Sequence, residues 1–175
     1  AAMTGSRFDV VPDLTWTEAV RRLRERELDL LPAFAVTPER HRYMAFTEPY
    51  LSFPAAIFSA AEVAYLGGLE ALRDRRVAVV RSEAVYPWLE REWPNLVLVP
   101  FEDTRQALRS VAAGESYAFV GNLVTTSYYI GQAGHARIKV AGETPFVYRV
   151  GMGVRSDWPL LADILQKAID AVPPA

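Results

Sequence analysis

Apolar residues recur at two different spacings along this chain, and the alternation of the two spacings predicts an α/β fold. Continuous apolar runs, which are typical of strands buried on both faces, lie at residues 77–80, 96–99 and 118–120. Stretches with apolar residues on one helical face lie between and after these runs. Strands that alternate with helices are typical of βαβ units, so the pattern predicts mostly parallel strands.

Polar side chains stand where the helices are predicted to begin. Such side chains accept hydrogen bonds from the free backbone N–H groups of a first helical turn. Thr15 is followed by Glu18 in a capping-box pattern, and Thr37 precedes a proline at a first helical position. The other predicted caps are Ser82, Asp103 and Asn122.

The two ends of the chain carry further predicted elements. They are strands at residues 8–11, 28–31 and 147–154, an extended segment at residues 52–61, and a helix at residues 158–171 that Pro173 and Pro174 end. Pro54 is expected to break the extended segment, because proline has no N–H group for a sheet hydrogen bond.

Composition excludes several classes of function. A chain of 175 residues can bury roughly 70% of its unfolded surface, and 51% hydrophobic with 23% charged residues is ordinary for a globular protein. A net charge of -2 gives no field that would attract nucleic acid, so no nucleic-acid partner is expected. The sequence has no cysteine and only 2 histidines, too few for most metal sites. No apolar run reaches the roughly 18 residues of a membrane span.

The sequence also lacks the common enzyme motifs. It has no Gly-rich phosphate loop, no G-x-S-x-G elbow and no H-E-x-x-H pair. We therefore predict that this domain uses no metal or cofactor and is not itself an enzyme.

Candidate ligand contacts follow the predicted strands. Open α/β sheets bind ligands beyond the carboxyl ends of their strands, where helix N-termini offer free N–H groups. Three places have this form: the loop that holds Phe34 and Ala35, the loop that begins with Ser82 and Glu83, and Asn122. Each of these residues also has a structural explanation, as core, cap or first-turn residue.

Arg40 is the sharpest single candidate. It lies in the predicted first turn after Thr37, where a cation opposes the helix dipole. A guanidinium can offset that cost by binding a carboxylate through two hydrogen bonds. The alternative is a surface arginine, or one paired with a neighbouring carboxylate. Trp16, in a first helical turn, could form a pocket wall or pack in the core.

Several ordered motifs resemble the bacterial family 3 extracellular solute-binding proteins, and the resemblance covers nearly the whole chain. The motifs are WTEAV from Trp16, ELDLLPA from Glu27, TPER from Thr37, FTEPY from Phe46 and AFVGN from Ala118. The segments at residues 30–33 and 118–123 are most similar to the Venus-flytrap sensor domains of bacterial hybrid sensor histidine kinases.

The resemblance implies a two-lobed, periplasmic-binding-protein-like (type II) clamshell. Lobe one would hold residues 1–54 and 149–175, and lobe two residues 55–148. It also implies that the family's first strand and most of its first helix are missing before Ala1. Their loss would expose apolar surface and could drive homodimerisation.

The family's ligand contacts carry over to particular residues. Arg40 matches the arginine that grips a ligand carboxylate, and Trp16 matches an aromatic wall. Ser82 and Glu83 fall in a loop that offers amides to the ligand. Asn122 stands where amino-acid binders often place an aspartate for the α-ammonium group, so its presence favours a carboxylate without that group.

The resemblance implies an extracytoplasmic sensing domain of a membrane-bound sensor histidine kinase. It would bind a small carboxylate or amino-acid-like ligand and signal by lobe closure to a membrane-attached output module of the same polypeptide. This hypothesis places the domain in the periplasm and predicts a transmembrane helix or a second flytrap domain after Ala175.

Two alternatives stay open. One is a solute-binding protein of an amino-acid ABC transporter, which predicts a signal peptide upstream. The other is an enzyme of this fold, such as a dehydratase, or a regulatory domain of a lytic transglycosylase. Glu83 is the only acid or base that we would name for such an enzyme.

Overall fold

The computed structural model describes residue 5, residues 7–132 and residues 137–172, so His135, Pro173 and Pro174 lie outside the described residues. Its helices and strands confirm the α/β class. In chain order they are α1 (Trp16–Arg24), β1 (Leu30–Ala35), β2 (Met44–Phe46), β3 (Leu51–Ala60), β4 (Arg76–Val80), α2 (Val85–Glu92), β5 (Val97–Phe101), α3 (Thr104–Ala112), β6 (Ala118–Asn122), α4 (Leu123–Gln132), β7 (Ile138–Arg155) and α5 (Pro159–Asp170), with short 3₁₀ helices at Arg40–Arg42 and Leu69–Leu72.

The chain divides into two compact units. Unit one comprises the residues up to Ser52 and those from Arg149 onwards, and unit two comprises Phe53–Tyr148. Strands β3 and β7 each run from one unit into the other. Among the described residues, no helix is both long and apolar enough to cross a membrane.

Unit one is built on strand β7. Both β1 and β2 pair with it in antiparallel fashion. Helix α1 packs over β1, and the core between them consists of Ala19, Val20, Leu23, Leu31, Phe34 and Met44. On β7 a second apolar cluster joins Val154 to Leu161, Ala162 and Leu165 of α5.

Unit two contains the continuous apolar strands. Strand β4 lies between β5 and β6, is parallel to both, and has no exposed surface at residues 77–80. Strand β6 pairs on its other side with β3, in antiparallel fashion. The order within this unit is therefore β3-β6-β4-β5.

The prediction of mostly parallel strands was wrong. Three of the described pairings, β1 with β7, β2 with β7 and β3 with β6, are antiparallel. Parallel neighbours need a crossover connection, usually a helix. Helices α2 and α3 provide such crossovers among β4, β5 and β6, whereas the long strands β3 and β7 pair with neighbours in the opposite direction.

Two strand predictions also need correction. Residues 8–11 do not form a strand; they pair with none of the described strands, and Val10 is 86% exposed. An apolar segment becomes a strand only where a neighbour accepts its backbone hydrogen bonds. Pro54 does not break β3, since the pairing with β6 begins at Ala55 and requires no N–H group from Pro54.

The predicted helix caps were mostly right. The Thr15 hydroxyl accepts a hydrogen bond from the Glu18 N–H group at 3.2 Å, and the Asp103 carboxylate accepts one from Gln106 at 2.8 Å. The α-helix predicted after Thr37 is a single 3₁₀ turn, although the Thr37 hydroxyl still accepts from the Arg40 N–H group at 3.3 Å. The turn ends there because the chain enters β2 at Met44.

Candidate functional site

Arg40 is a charged side chain in a buried position. It begins the 3₁₀ turn between β1 and β2 and is only 6% exposed, so it is not the surface arginine of the alternative interpretation. Its Nη1 donates a hydrogen bond to the carbonyl oxygen of Ala35 at 2.7 Å, and its guanidinium carbon lies 3.9 Å from the ring centroid of Phe34. Burial of a charge is costly unless its surroundings compensate, and these two contacts contribute to that compensation.

Three further predicted residues of unit one lie beside Arg40. Phe34 is completely buried and belongs to the apolar core, which was the structural alternative to a ligand contact. The half-buried ring of Trp16 packs on Phe34 with a centroid distance of 5.2 Å. Ala35 contributes its backbone carbonyl to Arg40. The structure therefore groups Trp16, Phe34, Ala35 and Arg40, and the ligand roles of these residues stay a prediction.

Sequence reasoning missed two aromatic residues of unit one, of which Phe46 belongs to this group and Tyr50 contacts β1. The ring of Phe46 stacks nearly parallel to that of Phe34, with 6.0 Å between centroids and a 9° interplanar angle. Tyr50 donates a hydrogen bond from its hydroxyl to the carbonyl oxygen of Pro32, and burial raises the pKa of this tyrosine. Both residues belong to the FTEPY motif, which carries the family resemblance, so the motif is the sequence signal that marks them.

Ser82 and Glu83 lie in the turn between β4 and α2 of unit two. The prediction that Ser82 caps this helix was wrong, since α2 begins at Val85 and its N-cap is Ala84, without a side-chain hydrogen bond. Glu83 therefore also precedes the helix. Backbone hydrogen bonds explain why the helix begins later than predicted. The Glu83 N–H group donates to the Val80 carbonyl and the Tyr86 N–H group donates to the Glu83 carbonyl, so the chain forms successive turns before α2.

The Glu83 carboxylate has a specific partner within unit two. The hydroxyl of the buried Tyr148 donates a hydrogen bond to its Oε2 at 2.5 Å. From Tyr148 an aromatic series continues to Phe146, at 5.0 Å between centroids, and on to Trp88 at 5.3 Å. Sequence reasoning missed Tyr148, because the residues joined by this hydrogen bond are 65 positions apart.

Asn122 is the last residue of β6 and caps α4, as predicted. Its side-chain oxygen accepts hydrogen bonds from the N–H groups of Val124 at 2.9 Å and Thr125 at 3.1 Å. An amide carries no charge, so this position cannot supply the ion pair that an aspartate would offer to an ammonium group. Its contact with a ligand stays a prediction.

The described part of the chain contains no group of three or more histidine, aspartate or glutamate side chains that could hold a metal ion. Arg40 offers a planar set of N–H donors suited to carboxylates. Glu83 offers an acceptor that Tyr148 orients.

Comparisons with known proteins place these observations in a family. The chain is 28% identical over 171 residues to the virulence sensor protein BvgS of Bordetella pertussis. The alignment covers 97% of this chain but only 14% of that protein. The chain thus spans about a seventh of the length of this relative.

Solved structures match as well. The crystal structure of the Bordetella pertussis BvgS periplasmic VFT2 domain matches with a TM-score of 0.85 and 25% identity, over 98% of this chain and 74% of that one. A histidine kinase sensor domain with similarity to periplasmic binding proteins matches with a TM-score of 0.80 and 27% identity, over 89% and 68%. The predicted periplasmic-binding-protein-like fold and the resemblance to Venus-flytrap sensor domains are confirmed.

The family itself is established by a match along almost the entire sequence. The sequence model of the bacterial extracellular solute-binding proteins, family 3, matches residues 1–173. The motifs around Trp16, Arg40 and Phe46 that carried the resemblance lie within this match. The chain belongs to the bacterial extracellular solute-binding proteins of family 3.

Proposed function

We propose that this chain is the periplasmic ligand-sensing domain of a membrane-bound bacterial sensor histidine kinase. The proposal is supported by the sensor protein that aligns with 97% of the chain and by the two sensor domains that share its fold. The domain binds and does not catalyse. Kinase activity would belong to another part of the polypeptide, and the output module that reads the domain would be attached to the membrane.

The ligand that fits this domain best is a small carboxylate. The observation that carries this proposal is the buried guanidinium of Arg40, held by the Ala35 carbonyl and the Phe34 ring. Because Arg presents a rigid planar set of donors, it can bind a carboxylate through two parallel hydrogen bonds. The neutral Asn122 supports a ligand without an ammonium group, since its amide oxygen already caps α4.

Signalling requires only that the ligand prefers one conformation. A ligand that binds one of two conformations more tightly shifts the equilibrium towards it by the difference in affinity. We propose that such a shift, the lobe closure that is typical of the fold, is what the output module reads. No catalytic residue is needed for this mechanism.

A thermal-shift screen tests the carboxylate proposal. The panel consists of the twenty amino acids together with acetate, pyruvate, succinate, citrate and benzoate, each at a series of concentrations. A ligand present at about 100 times its dissociation constant stabilises the folded state by about 2.7 kcal/mol, which a shift in Tm would reveal. Binding by a carboxylate without an ammonium group is the expected result.

A second arginine of the same 3₁₀ turn, Arg42, provides the control for Arg40. Arg40→Lys keeps the charge but removes the planar donor set, whereas Arg42→Lys makes the same change at an exposed position. We expect the carboxylate-induced shift to be lost in Arg40→Lys and retained in Arg42→Lys. A shift retained in both variants would contradict the role of Arg40, and a panel without any carboxylate response would contradict the ligand class.

A further inference from the structure

We infer that Phe34 and Gly153 are positioning residues for Arg40: Phe34 provides the surface on which the guanidinium lies, and Gly153 fixes the place of Phe34. The inference rests on the proposed function, in that Arg40 is taken as the ligand contact. Neither residue needs to touch the ligand. Phe34 was predicted as a ligand contact from its place in a loop. Because it is completely buried, we infer that it acts through Arg40 and does not touch the ligand.

A β-bulge in β1 directs Phe34 to the core. Leu31 lies opposite Gly153 of β7, and Phe34 lies opposite Gly151, so three steps on β1 match two steps on β7. Successive side chains of a strand point to opposite faces, so a regular strand would place Ala33 on the face of Leu31. The extra residue changes this alternation, and Leu31 and Phe34 are both buried while Ala33 is exposed. Bulges are a known means of redirecting a side chain beside a site.

Gly153 leaves the space that the Phe34 ring occupies. A Cβ atom at this position would lie 3.0 Å from Cδ1 of Phe34 and 3.3 Å from Cε1 of Phe46. Both distances are shorter than ordinary van der Waals contact, and both rings belong to the stacked pair. A side chain at position 153 would therefore require both rings to shift by a few tenths of an ångström, and the surface under Arg40 would shift with Phe34.

Two contacts of Arg40 come from neighbouring residues of β1. The Phe34 ring lies 3.9 Å from the guanidinium carbon, and the Ala35 carbonyl accepts a 2.7 Å hydrogen bond from Nη1, so that together they restrict the orientation of the guanidinium. A long side chain that is oriented before binding loses less rotamer entropy when the ligand arrives. Phe34 and Ala35 thus preorganise the donor set of Arg40.

The test measures the orientation of Arg40 directly and needs no ligand. Side-chain ¹H–¹⁵N NMR spectra of the arginines are recorded on the whole chain, with the Arg40 Nε–H signal assigned by its disappearance in Arg40→Lys. A proton above an aromatic face is shielded. Because the guanidinium carbon of Arg40 lies 3.9 Å from its ring centroid, whereas those of Arg24, Arg75 and Arg105 lie 4.7, 4.8 and 5.1 Å from theirs, we expect this signal upfield of the other arginines. Phe34→Leu should abolish the upfield shift, and Gly153→Ala should move the signal.

Matched variants separate positioning from general damage. Phe58→Leu removes an equally buried ring in unit two, and Gly131→Ala adds a methyl group where nothing lies within 4 Å of its Cβ. Neither should move the Arg40 signal, whereas Phe34→Tyr, which keeps the ring, should retain the upfield shift. If Phe34→Leu does not fold, Gly153→Ala and Phe34→Tyr still decide the matter.

The inference is overturned if the Arg40 signal lies among the other arginines in the unaltered chain. It is equally overturned if the signal stays in place in Gly153→Ala. Because these spectra are recorded without ligand, they can confirm the positioning of Arg40 even if the carboxylate panel finds no binder. A carboxylate response with an unshielded Arg40 would instead support the proposed function and overturn this inference.

Discussion

The two units hold their candidate residues in position by different means. In unit two, Asn122 occupies a helix N-cap, and the two hydrogen bonds that it accepts from Val124 and Thr125 account for it. In unit one, Arg40 is a buried cation held by a ring and a carbonyl of the preceding strand. A cap satisfies the free N–H groups of its own helix, whereas burial of a guanidinium is costly. The buried cation of unit one is therefore the residue on which the proposed carboxylate binding rests.

The buried polar residues of the two units differ in kind. Strand β4 of unit two is apolar and fully buried at residues 77–80, and the buried polar residues described elsewhere in this unit are small serines and threonines such as Ser110 and Ser116, whose hydroxyls hydrogen-bond to each other. Unit one buries Thr47, whose hydroxyl accepts a hydrogen bond from the Met152 N–H group at 2.9 Å, and also the guanidinium of Arg40. Both units thus bury polar groups, but the buried charge among the described residues lies in unit one.

Truncation of one core phenylalanine in each unit gives the largest expected effect. Phe34→Ala and Phe58→Ala each remove a fully buried ring, at a cost of about 3–5 kcal/mol. Phe34→Ala also deprives a desolvated guanidinium of its aromatic partner, so it should cost about 1–2 kcal/mol more than Phe58→Ala.

Hydrogen exchange followed by mass spectrometry would measure this difference, since peptides report on the two units separately. Protection should fall furthest in unit one for Phe34→Ala and in unit two for Phe58→Ala. A smaller cost for Phe34→Ala than for Phe58→Ala would mean that the ring does not stabilise Arg40, and the contrast between the units would lose its basis.

Features that depend on neighbouring residues could be predicted from the sequence. The caps at Thr15, Asp103 and Asn122 were right, because the accepting side chain and the donating N–H group lie within three positions of each other. The strand at residues 77–80 was right because a continuous apolar run needs no partner to identify it as buried. The family followed from motifs with fixed local spacing.

Features that depend on distant partners could not be predicted in this way. The helix expected after Thr37 stops after one turn because β2 pairs with β7, through Met44 and Arg155. Likewise, the sequence placed Phe34 and Ala35 in a loop and Arg40 in the first turn after Thr37, but the stacking of Arg40 on Phe34 depends on a bulge in the pairing with β7. Periodicity does not encode the register between strands that far apart.

Removal of the caps in unit two should have a smaller effect than loss of a core ring. Asn122→Ala and Asp103→Ala each leave helix N–H groups without an acceptor and should cost about 0.5–2 kcal/mol. Asn122→Asp keeps the acceptor and places a negative charge at the helix N-terminus, so stability should be retained or slightly increased. Urea unfolding of the three variants measures these costs.

The same variants test whether Asn122 is more than a cap. A carboxylate found by the thermal-shift screen should bind less well to Asn122→Asp if it lies near this residue, because the introduced charge repels it. Unchanged binding in Asn122→Asp would leave capping as the full account of Asn122. The contrast between a locally explained residue in unit two and the proposed ligand contact, Arg40, in unit one would then be sharper.

The smallest expected effect concerns a surface ion-pair network of unit one. Arg155 donates from Nε and Nη2 to the two carboxylate oxygens of Asp157, at 2.8 and 2.9 Å, and from Nη1 to Asp29 at 3.1 Å. The two hydrogen bonds from Arg155 are the main reason that the pKa of Asp157 is lowered from 3.8 to about 2. A lowered carboxyl pKa stabilises the folded state above the unfolded value and ceases to do so as the pH falls to the folded value.

Asp157→Asn should therefore lower Tm slightly at pH 7, and its difference from the unaltered chain should shrink between about pH 4 and pH 2. Calorimetric scans across this range measure the difference. In an Arg155→Gln background the pH-dependent part should shrink markedly, because the hydrogen bonds that lower the pKa most are gone while the weaker charge interaction with Arg26 remains. A difference that persists unchanged at pH 2, or that is undiminished in Arg155→Gln, would show that Asp157 acts chiefly through a contact other than Arg155. The surface network of unit one would then not depend on the charge pair that its geometry indicates.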